Sequence, residues 1–197
     1  MAVLAIVILV LFLLYFRDKR INYYILVMLI LMSVSNVGYF LLSISNALPE
    51  ALIAKKITYI GGCFIPPVML FLIFKLCNIR IKKWLRTFLI LYSFIVYAMT
   101  LTIGYFDIYY KSVTLVFKGE TGILVSEYGS AHILFNLLLY GYLLAGSAVL
   151  IYTYKTKKQI SYKNIFILIV AELMNIAIFL CVRSMKLQID IFPLIYV

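Results

Sequence analysis

The chain has 197 residues, of which 66% are hydrophobic and 13% are charged, and its formal net charge is +11. Soluble domains are about 45–50% apolar, so this composition excludes a water-soluble fold and predicts a polytopic membrane protein. The positive charge does not indicate nucleic acid as a partner, because Lys and Arg stand in short clusters between apolar runs, as in cytoplasmic membrane loops. The three cysteines show no CxxC spacing, which argues against a disulfide framework or a zinc site.

The apolar runs predict an all-α polytopic membrane protein with six full transmembrane helices and the start of a seventh. A helix of about 18 residues rises ~27 Å, close to the ~30 Å hydrocarbon core of a bilayer. We expect a single membrane-embedded domain over residues 1–197. The predicted spans lie at about 1–16, 21–44, 56–76, 86–106, 130–152 and 164–182, with an incomplete seventh at 189–197.

The basic residues predict the orientation of the spans. The first, third and fifth loops, with flanking Lys75, hold twelve Lys and Arg, whereas the opposite side holds six. Cytoplasmic loops carry the excess of basic residues, so we expect a multi-pass protein of the cell membrane with its N-terminus outside. The lipid bilayer is therefore an expected partner of the protein. Ile191–Val197 would rise only ~10 Å as a helix, so the seventh span is expected to be cut short.

The long loop Asp107–Glu127 is extracellular in this orientation. Ser112–Phe117 begins with alternating polar and apolar residues, Lys118–Gly122 is typical of a turn, and Ile123–Ser126 is a second β-prone run. These features predict a β-hairpin between the fourth and fifth spans. Because an isolated hairpin is only marginally stable in water, we expect it to rest on the helix ends or on a ligand.

The third predicted span carries Pro66 and Pro67 in its middle. Neither residue has an N–H, so the carbonyls of Gly62 and Cys63 lose their helical partners. Free carbonyls at this depth are tolerated only where protein or trapped water covers them. The two prolines therefore predict a central helix that the other spans enclose.

Glu172 is the one ionisable residue deep in a predicted span, and Asn175 shares its helix face. An intramembrane carboxylate is a functional candidate by default. We expect it to be protonated or hydrogen-bonded, with the carbonyls of Gly62 and Cys63 as acceptors at similar depth. A structural hydrogen bond between two helices is the alternative interpretation.

Other polar residues inside the spans are weaker candidates. Asn36 and Asn136 form polar notches, for which helix packing is the alternative to ligand contact. His132 lies beside Tyr128, and a single histidine without partners is not a metal site, so interfacial anchoring is its alternative role. The candidate ligand-binding or switch residues are Asn36, Tyr59, Pro66, Pro67, His132, Asn136, Glu172 and Asn175. In the absence of catalytic motifs, we expect no enzyme activity, no cofactor and no metal.

Several short segments together resemble a known family. They are Gly38–Phe40, Ala54–Gly61 with Phe64 and Pro66, Tyr110–Ser112, Glu127–Gly129, Asn175 and Ile189–Val197. In this order and spacing they resemble the N-terminal seven-helix membrane region of bacterial sensor histidine kinases. Related regions precede diguanylate cyclase and cyclic-di-GMP phosphodiesterase domains.

The resemblance implies a membrane-embedded receptor, or input module, of bacterial signal transduction. An unknown small ligand or membrane stimulus would shift the bundle. The seventh helix would then pass that shift in cis to a cytoplasmic histidine kinase or GGDEF/EAL output domain, which residues 1–197 do not contain. This hypothesis is also compatible with a homodimer, in which the partner is a second copy of the chain.

Two other functions stay open at this stage. Size and helix number also suit the substrate-binding membrane subunit of a small-molecule transporter, such as the S component of a vitamin uptake system. The apolar ending Phe192–Val197 favours the receptor, because a complete six-helix protein should end in a polar tail. An intramembrane enzyme based on Glu172 would need a second catalytic group, which the sequence does not reveal.

Overall fold

The computed structural model describes residues 10, 23–119, 121–156 and 170. Four helices in this part of the chain are long and apolar enough to cross a membrane, and a small two-stranded sheet accompanies them. The elements are α1 (Tyr23–Ile44), α2 (Leu48–Leu76), α3 (Lys83–Leu101), β1 (Tyr110–Lys118), β2 (Thr121–Tyr128) and α4 (His132–Thr156). The spans predicted at 1–16, 164–182 and 189–197 lie outside the described residues, as do Glu172 and Asn175.

Helix α2 is the central element of this bundle. It packs against α1, α3 and α4, and a larger share of it is buried than of the other three helices. Pro66 and Pro67 lie inside it, and the helix continues through both. Cys63 is fully buried, and the Phe135 ring lies against the backbone of Gly62. Protein therefore covers the segment whose carbonyls lose their helical partners.

The start of α2 corrects the prediction from sequence. The predicted span begins at residue 56, but the helix already begins at Leu48. Pro49 suits the first turn, where a missing N–H breaks no helical bond. The Glu50 carboxylate accepts a hydrogen bond from the Asn46 backbone N–H at 3.2 Å, beside the positive end of the helix dipole. At about 1.5 Å per residue, α2 is longer than the hydrocarbon core is thick.

The predicted fourth span also differs from the helix observed. It was placed at 86–106, whereas α3 runs from Lys83 to Leu101. The chain turns after Leu101, and Gly104 has a φ of 83°, in the left-handed region that ends helices. The residues from Thr102 to Phe106 therefore lead into the hairpin instead of lengthening the helix.

Small residues bring α1 and α2 close together. A Cβ on Gly61 would lie 2.5 Å from the Cβ of Ser35, and one on Gly38 would lie 2.7 Å from the backbone nitrogen of Thr58. The Ser35 hydroxyl donates a hydrogen bond to the Thr58 carbonyl at 3.1 Å. Small residues and interhelical hydrogen bonds of this kind hold helices together in a bilayer.

The two strands form the antiparallel hairpin expected from the sequence. Pairing runs from Tyr110 opposite Tyr128 to Lys118 opposite Thr121, with an irregularity just after Tyr110. Gly119 in the turn has a φ of 65°, which favours glycine.

The hairpin rests on the ends of α1 and α2, as expected for so small a sheet. Leu115 and Leu124 pack against buried Leu42, Ala51 and Ala54 of these helix ends. The hairpin therefore gains apolar burial that two strands alone cannot provide. Its extracellular location stays a prediction.

Candidate functional site

Six ring-bearing residues meet where the base of the hairpin joins the helices, and we refer to them as the aromatic cluster. Neighbouring ring centroids lie between 3.8 and 6.2 Å apart. The members are Tyr59 on α2, Tyr109 just before β1, Tyr110 on β1, Tyr128 on β2, and His132 and Phe135 on α4. The cluster therefore connects α2, the hairpin and α4.

Tyr59 lies at the centre of the aromatic cluster. Its ring packs edge-to-face against Tyr109, at a centroid distance of 5.5 Å, and against Phe135, at 5.2 Å. Edge-to-face contacts are the favoured geometry of aromatic pairs. The hydroxyl oxygens of Tyr59 and Tyr110 lie 2.6 Å apart, so one hydroxyl donates a hydrogen bond to the other. This buried bond attaches the first strand directly to the central helix.

His132 begins α4 and carries the cluster onto that helix. Its ring stacks on Tyr128 with a centroid distance of 3.8 Å and an interplanar angle of 22°. The amide nitrogen of Asn136, one turn further on, lies 3.5 Å from His132 Nδ1, at the outer limit of a hydrogen bond. Over the described part of the chain, no group of His, Cys, Asp or Glu residues is placed to hold a metal ion.

Two lysines give the edge of the cluster a positive charge. Lys55 Nζ lies 5.7 Å from the ring centroid of Tyr59 and 5.9 Å from that of Tyr39 on α1. Lys56 Nζ lies 4.5 Å from the ring centroid of Tyr105. Cations at these distances are attracted by aromatic faces. The rings thereby orient two ammonium groups at the hairpin end of the bundle.

Tyr109 contributes a buried hydroxyl. The residue is fully buried; its hydroxyl interacts with that of Tyr59, but no described residue makes a well-formed hydrogen bond to it. Burial raises the pKa of Tyr109 well above its usual range, and the phenol therefore keeps its proton. The backbone position is held by the Gly129 N–H, which donates to the Tyr109 carbonyl at 2.8 Å. A water molecule or a ligand atom that accepted this proton would remove a desolvation cost.

The structure brings together three of the residues proposed from sequence. Tyr59, His132 and Asn136 belong to or border the aromatic cluster. Asn36 lies elsewhere: its amide donates to the Met32 carbonyl of its own helix at 2.9 Å, and its buried Oδ1 has no partner among the described residues. Pro67 lines a separate cavity.

Sequence reasoning missed four members of the cluster, since only Tyr59 and His132 were among the candidate residues. The other four are Tyr109, Tyr110, Tyr128 and Phe135. The Tyr59–Tyr110 contact joins residues that are 51 positions apart. The available signal was the presence of Tyr59, Tyr110 and Tyr128 in the segments that carry the family resemblance.

The arrangement suits binding and conformational change. Phenol hydroxyls and nearby ammonium groups can hold the polar or anionic part of a small molecule, and the rings can cover its apolar part. The same contacts connect a loop element to two helices, so a change at the hairpin base must alter the packing of α2 or α4.

Apolar helices around a central span, with a hairpin on their ends, define a polytopic helical membrane protein. The chain belongs to the family described as the N-terminal 7TM region of histidine kinase, whose model matches residues 1–197. This match confirms the resemblance to the membrane region of histidine kinases. The family is a non-catalytic sensory input region. No curated protein and no solved structure matches the chain.

Proposed function

We propose that residues 1–197 are the sensory input region of a bacterial signalling protein of the cell membrane. In this proposal the N-terminus and the hairpin lie outside, six complete spans cross the bilayer, and a seventh leads to a cytoplasmic output domain. That domain is a histidine kinase or a cyclic-di-GMP (GGDEF/EAL) enzyme. The observation that carries the proposal is the family match over residues 1–197. The twelve-to-six distribution of basic residues supports the orientation.

We infer that the aromatic cluster is where a stimulus acts. The Tyr59–Tyr110 hydrogen bond and the Tyr128–His132 stack attach the hairpin to α2 and to α4, respectively. A ligand can shift the bundle only if it binds two states of these contacts unequally. Since α2 touches each of the other described helices, a displacement of Tyr59 would spread through the bundle.

The ammonium groups beside the cluster, rather than the net charge of the hairpin end, support an anionic or polar small molecule as the stimulus, since Glu50, Asp107 and Glu127 lie at that end too. Lys55 and Lys56 lie beside the cluster, and the buried Tyr109 hydroxyl offers a further donor. Tyr59, His132 and Asn136 are the residues proposed to respond first. Roles for Asn36, Pro66, Glu172 and Asn175 stay predictions from sequence.

The first experiment reads the gene beyond codon 197. We expect the next hundred or so codons to encode a histidine kinase, GGDEF or EAL sequence. A stop codon directly after Val197 would contradict the proposal of an output domain in cis.

The second experiment measures output activity in membrane vesicles that contain the full-length protein. Tyr128→Ala removes the ring that stacks on His132, and Tyr152→Ala removes a tyrosine of similar exposure at the other end of α4. We expect Tyr128→Ala to change phosphorylation or cyclic-di-GMP synthesis and Tyr152→Ala to leave it close to wild type. Replacing Asp107–Glu127 by a Gly/Ser linker should change output as well. Output that is unaffected by either change would contradict sensing at the hairpin.

A further inference from the structure

We propose that the cavity between α1, α2 and α3 holds part of an acyl chain of an anionic phospholipid, with the lipid phosphate bound by Arg86. This site lies at the opposite end of the bundle from the hairpin. It is independent of the aromatic cluster and goes beyond the sensory function proposed above.

The cavity is placed by the ends of three helices. Tyr23 and Tyr24 are the first two residues of α1, Phe71 lies in the last two turns of α2, and Arg86 lies in the first turn of α3. All four residues line the cavity, which has a volume of about 170 Å³. Tyrosines and basic residues at one helix end are typical of the headgroup level of a bilayer. The mouth of the cavity is therefore at the depth of lipid phosphates.

The interior of the cavity is apolar and suited to hydrocarbon. Val27, Phe64, Val68 and Ile90 line it, together with Pro67. Pro67 lies about 12 Å along α2 from Lys75, so the cavity extends from the headgroup level toward the middle of the bilayer. Its volume is close to that of an engineered apolar cavity of about 150 Å³ that binds benzene. It accommodates a segment of one acyl chain and not a whole lipid.

Arg86 supplies the charge at the mouth. One guanidinium nitrogen donates a hydrogen bond to the Tyr23 hydroxyl at 3.2 Å, and the guanidinium carbon lies 5.7 Å from the Phe71 ring centroid. These two contacts orient a group that is otherwise exposed. A guanidinium has five N–H donors in a planar fork that matches phosphate oxygens.

The distribution of charge favours an anionic partner over a neutral one. The acidic residues of the described chain are Glu50, Asp107 and Glu127, and all three lie at the hairpin end. Lys75, whose Nζ lies 5.6 Å from the Tyr24 ring, adds a second positive charge near the mouth. A bilayer lipid is the occupant because it presents its phosphate and its acyl chain at these two depths together.

The test uses photo-crosslinking of the 1–197 protein in phosphatidylcholine nanodiscs. The probe is a phosphatidylglycerol that carries a diazirine in the outer half of one acyl chain. We expect adducts on the α2 segment that contains Phe64, Pro67 and Phe71. Excess unlabelled phosphatidylglycerol should remove them, and excess phosphatidylcholine should not.

Two pairs of variants separate the headgroup contact from the acyl-chain contact. Arg86→Gln should lower cavity labelling about five-fold. Lys155→Gln, which loses the same charge at the same end of the bundle but on α4, away from the cavity, should not. Val27→Phe should abolish labelling by filling the cavity, whereas Ile30→Phe, at an exposed position of α1, should leave it unchanged. Size-exclusion elution and Arg86→Lys, which keeps the charge, control for misfolding.

Each other outcome would overturn the proposal. Equal labelling of Arg86→Gln and Lys155→Gln would show that the phosphate is not bound by Arg86. Displacement by oleate at lower concentration than by phosphatidylglycerol would identify a free fatty acid as the occupant. Adducts spread over the exposed faces, with none in the cavity, would mean that another segment or a second copy of the chain fills it.

Discussion

The hydroxyl groups of Tyr59 and Tyr110 lie 2.6 Å apart and join the central helix to the first strand of the hairpin. Both residues are buried, at 8% and 4% exposure. Removing one partner of a hydrogen bond in such surroundings is costly, because the remaining hydroxyl stays buried without a bond to offset its desolvation. The bond therefore ties the position of the hairpin to that of α2.

Tyr59→Phe should destabilise the protein by about 1–2 kcal/mol, because it leaves the Tyr110 hydroxyl buried without its partner. The double variant Tyr59→Phe/Tyr110→Phe should lose less than the sum of the two single variants. Thermal unfolding of the purified protein in detergent measures all three, with Tyr105→Phe as an exposed control. Strict additivity would show that the two hydroxyls do not interact.

Tyr109→Phe should not destabilise the protein, in contrast to Tyr59→Phe. It removes a buried hydroxyl that makes no well-formed hydrogen bond within the described residues, so the unfolding temperature should stay equal or rise. A clear loss of stability would show that the Tyr109 hydroxyl is bound, for example by an ordered water molecule.

The same tyrosine predicts a loss of stability at high pH. Burial raises the pKa of Tyr109 above its ordinary value of 10.0, so the folded state favours the neutral phenol. This contribution is fully present below pH 10 and falls as the pH rises further, because the unfolded chain then releases the proton more readily. Wild type should therefore lose more stability between pH 9 and about 11 than Tyr109→Phe does. Equal losses of stability for the two proteins over this pH range would contradict the prediction.

The close approach of α1 and α2 predicts sensitivity to a single methyl group. At Gly38 an added Cβ would lie 2.7 Å from the backbone nitrogen of Thr58, so Gly38→Ala should cost about 1–3 kcal/mol. Gly141 in α4 has no heavy atom within 4 Å of an added Cβ. Gly141→Ala should be neutral or stabilising by up to about 1 kcal/mol, since alanine is the better helix former. Similar unfolding temperatures for the two variants would rule out tight packing at Gly38.

Local sequence patterns predicted most of the helices and strands in the described part of the chain. The apolar run predicted at 21–44 matches α1 closely, and the Gly119 turn with its flanking β-prone runs predicted the hairpin. The start of α2 was missed because Pro49 and Glu50 look like loop residues. The same two residues are also favoured in the first turn of a helix.

The candidate site was only partly accessible to sequence reasoning. His132 beside Tyr128 was recognised from proximity in the chain, and the two rings do stack. The meeting of Tyr59 with Tyr110 depends on how the hairpin docks on α2. Neither helical nor strand periodicity encodes such a long-range contact.

The docking of the hairpin should depend on the side chains that face the ends of α1 and α2. Leu115 packs against the ends of α1 and α2, whereas its neighbour Val116 is 47% exposed. Leu115→Ser should therefore loosen the hairpin and increase proteolysis within Asp107–Glu127, by a loss of about 2 kcal/mol of apolar burial. Val116→Ser should digest like wild type. Equal digestion of the two variants would contradict docking through Leu115.

The orientation of the bundle can be tested with single added cysteines in living cells. Val116→Cys places a thiol on the exposed face of the hairpin, and Trp84→Cys places one in the first turn of α3; the native side chains are 47% and 66% exposed. A membrane-impermeant maleimide should label the first variant in intact cells and the second only after permeabilisation. The wild-type protein gives the background, in which Cys63 and Cys77 are buried. Labelling of Trp84→Cys in intact cells would reverse the predicted topology, because the basic loop beside it would then lie outside.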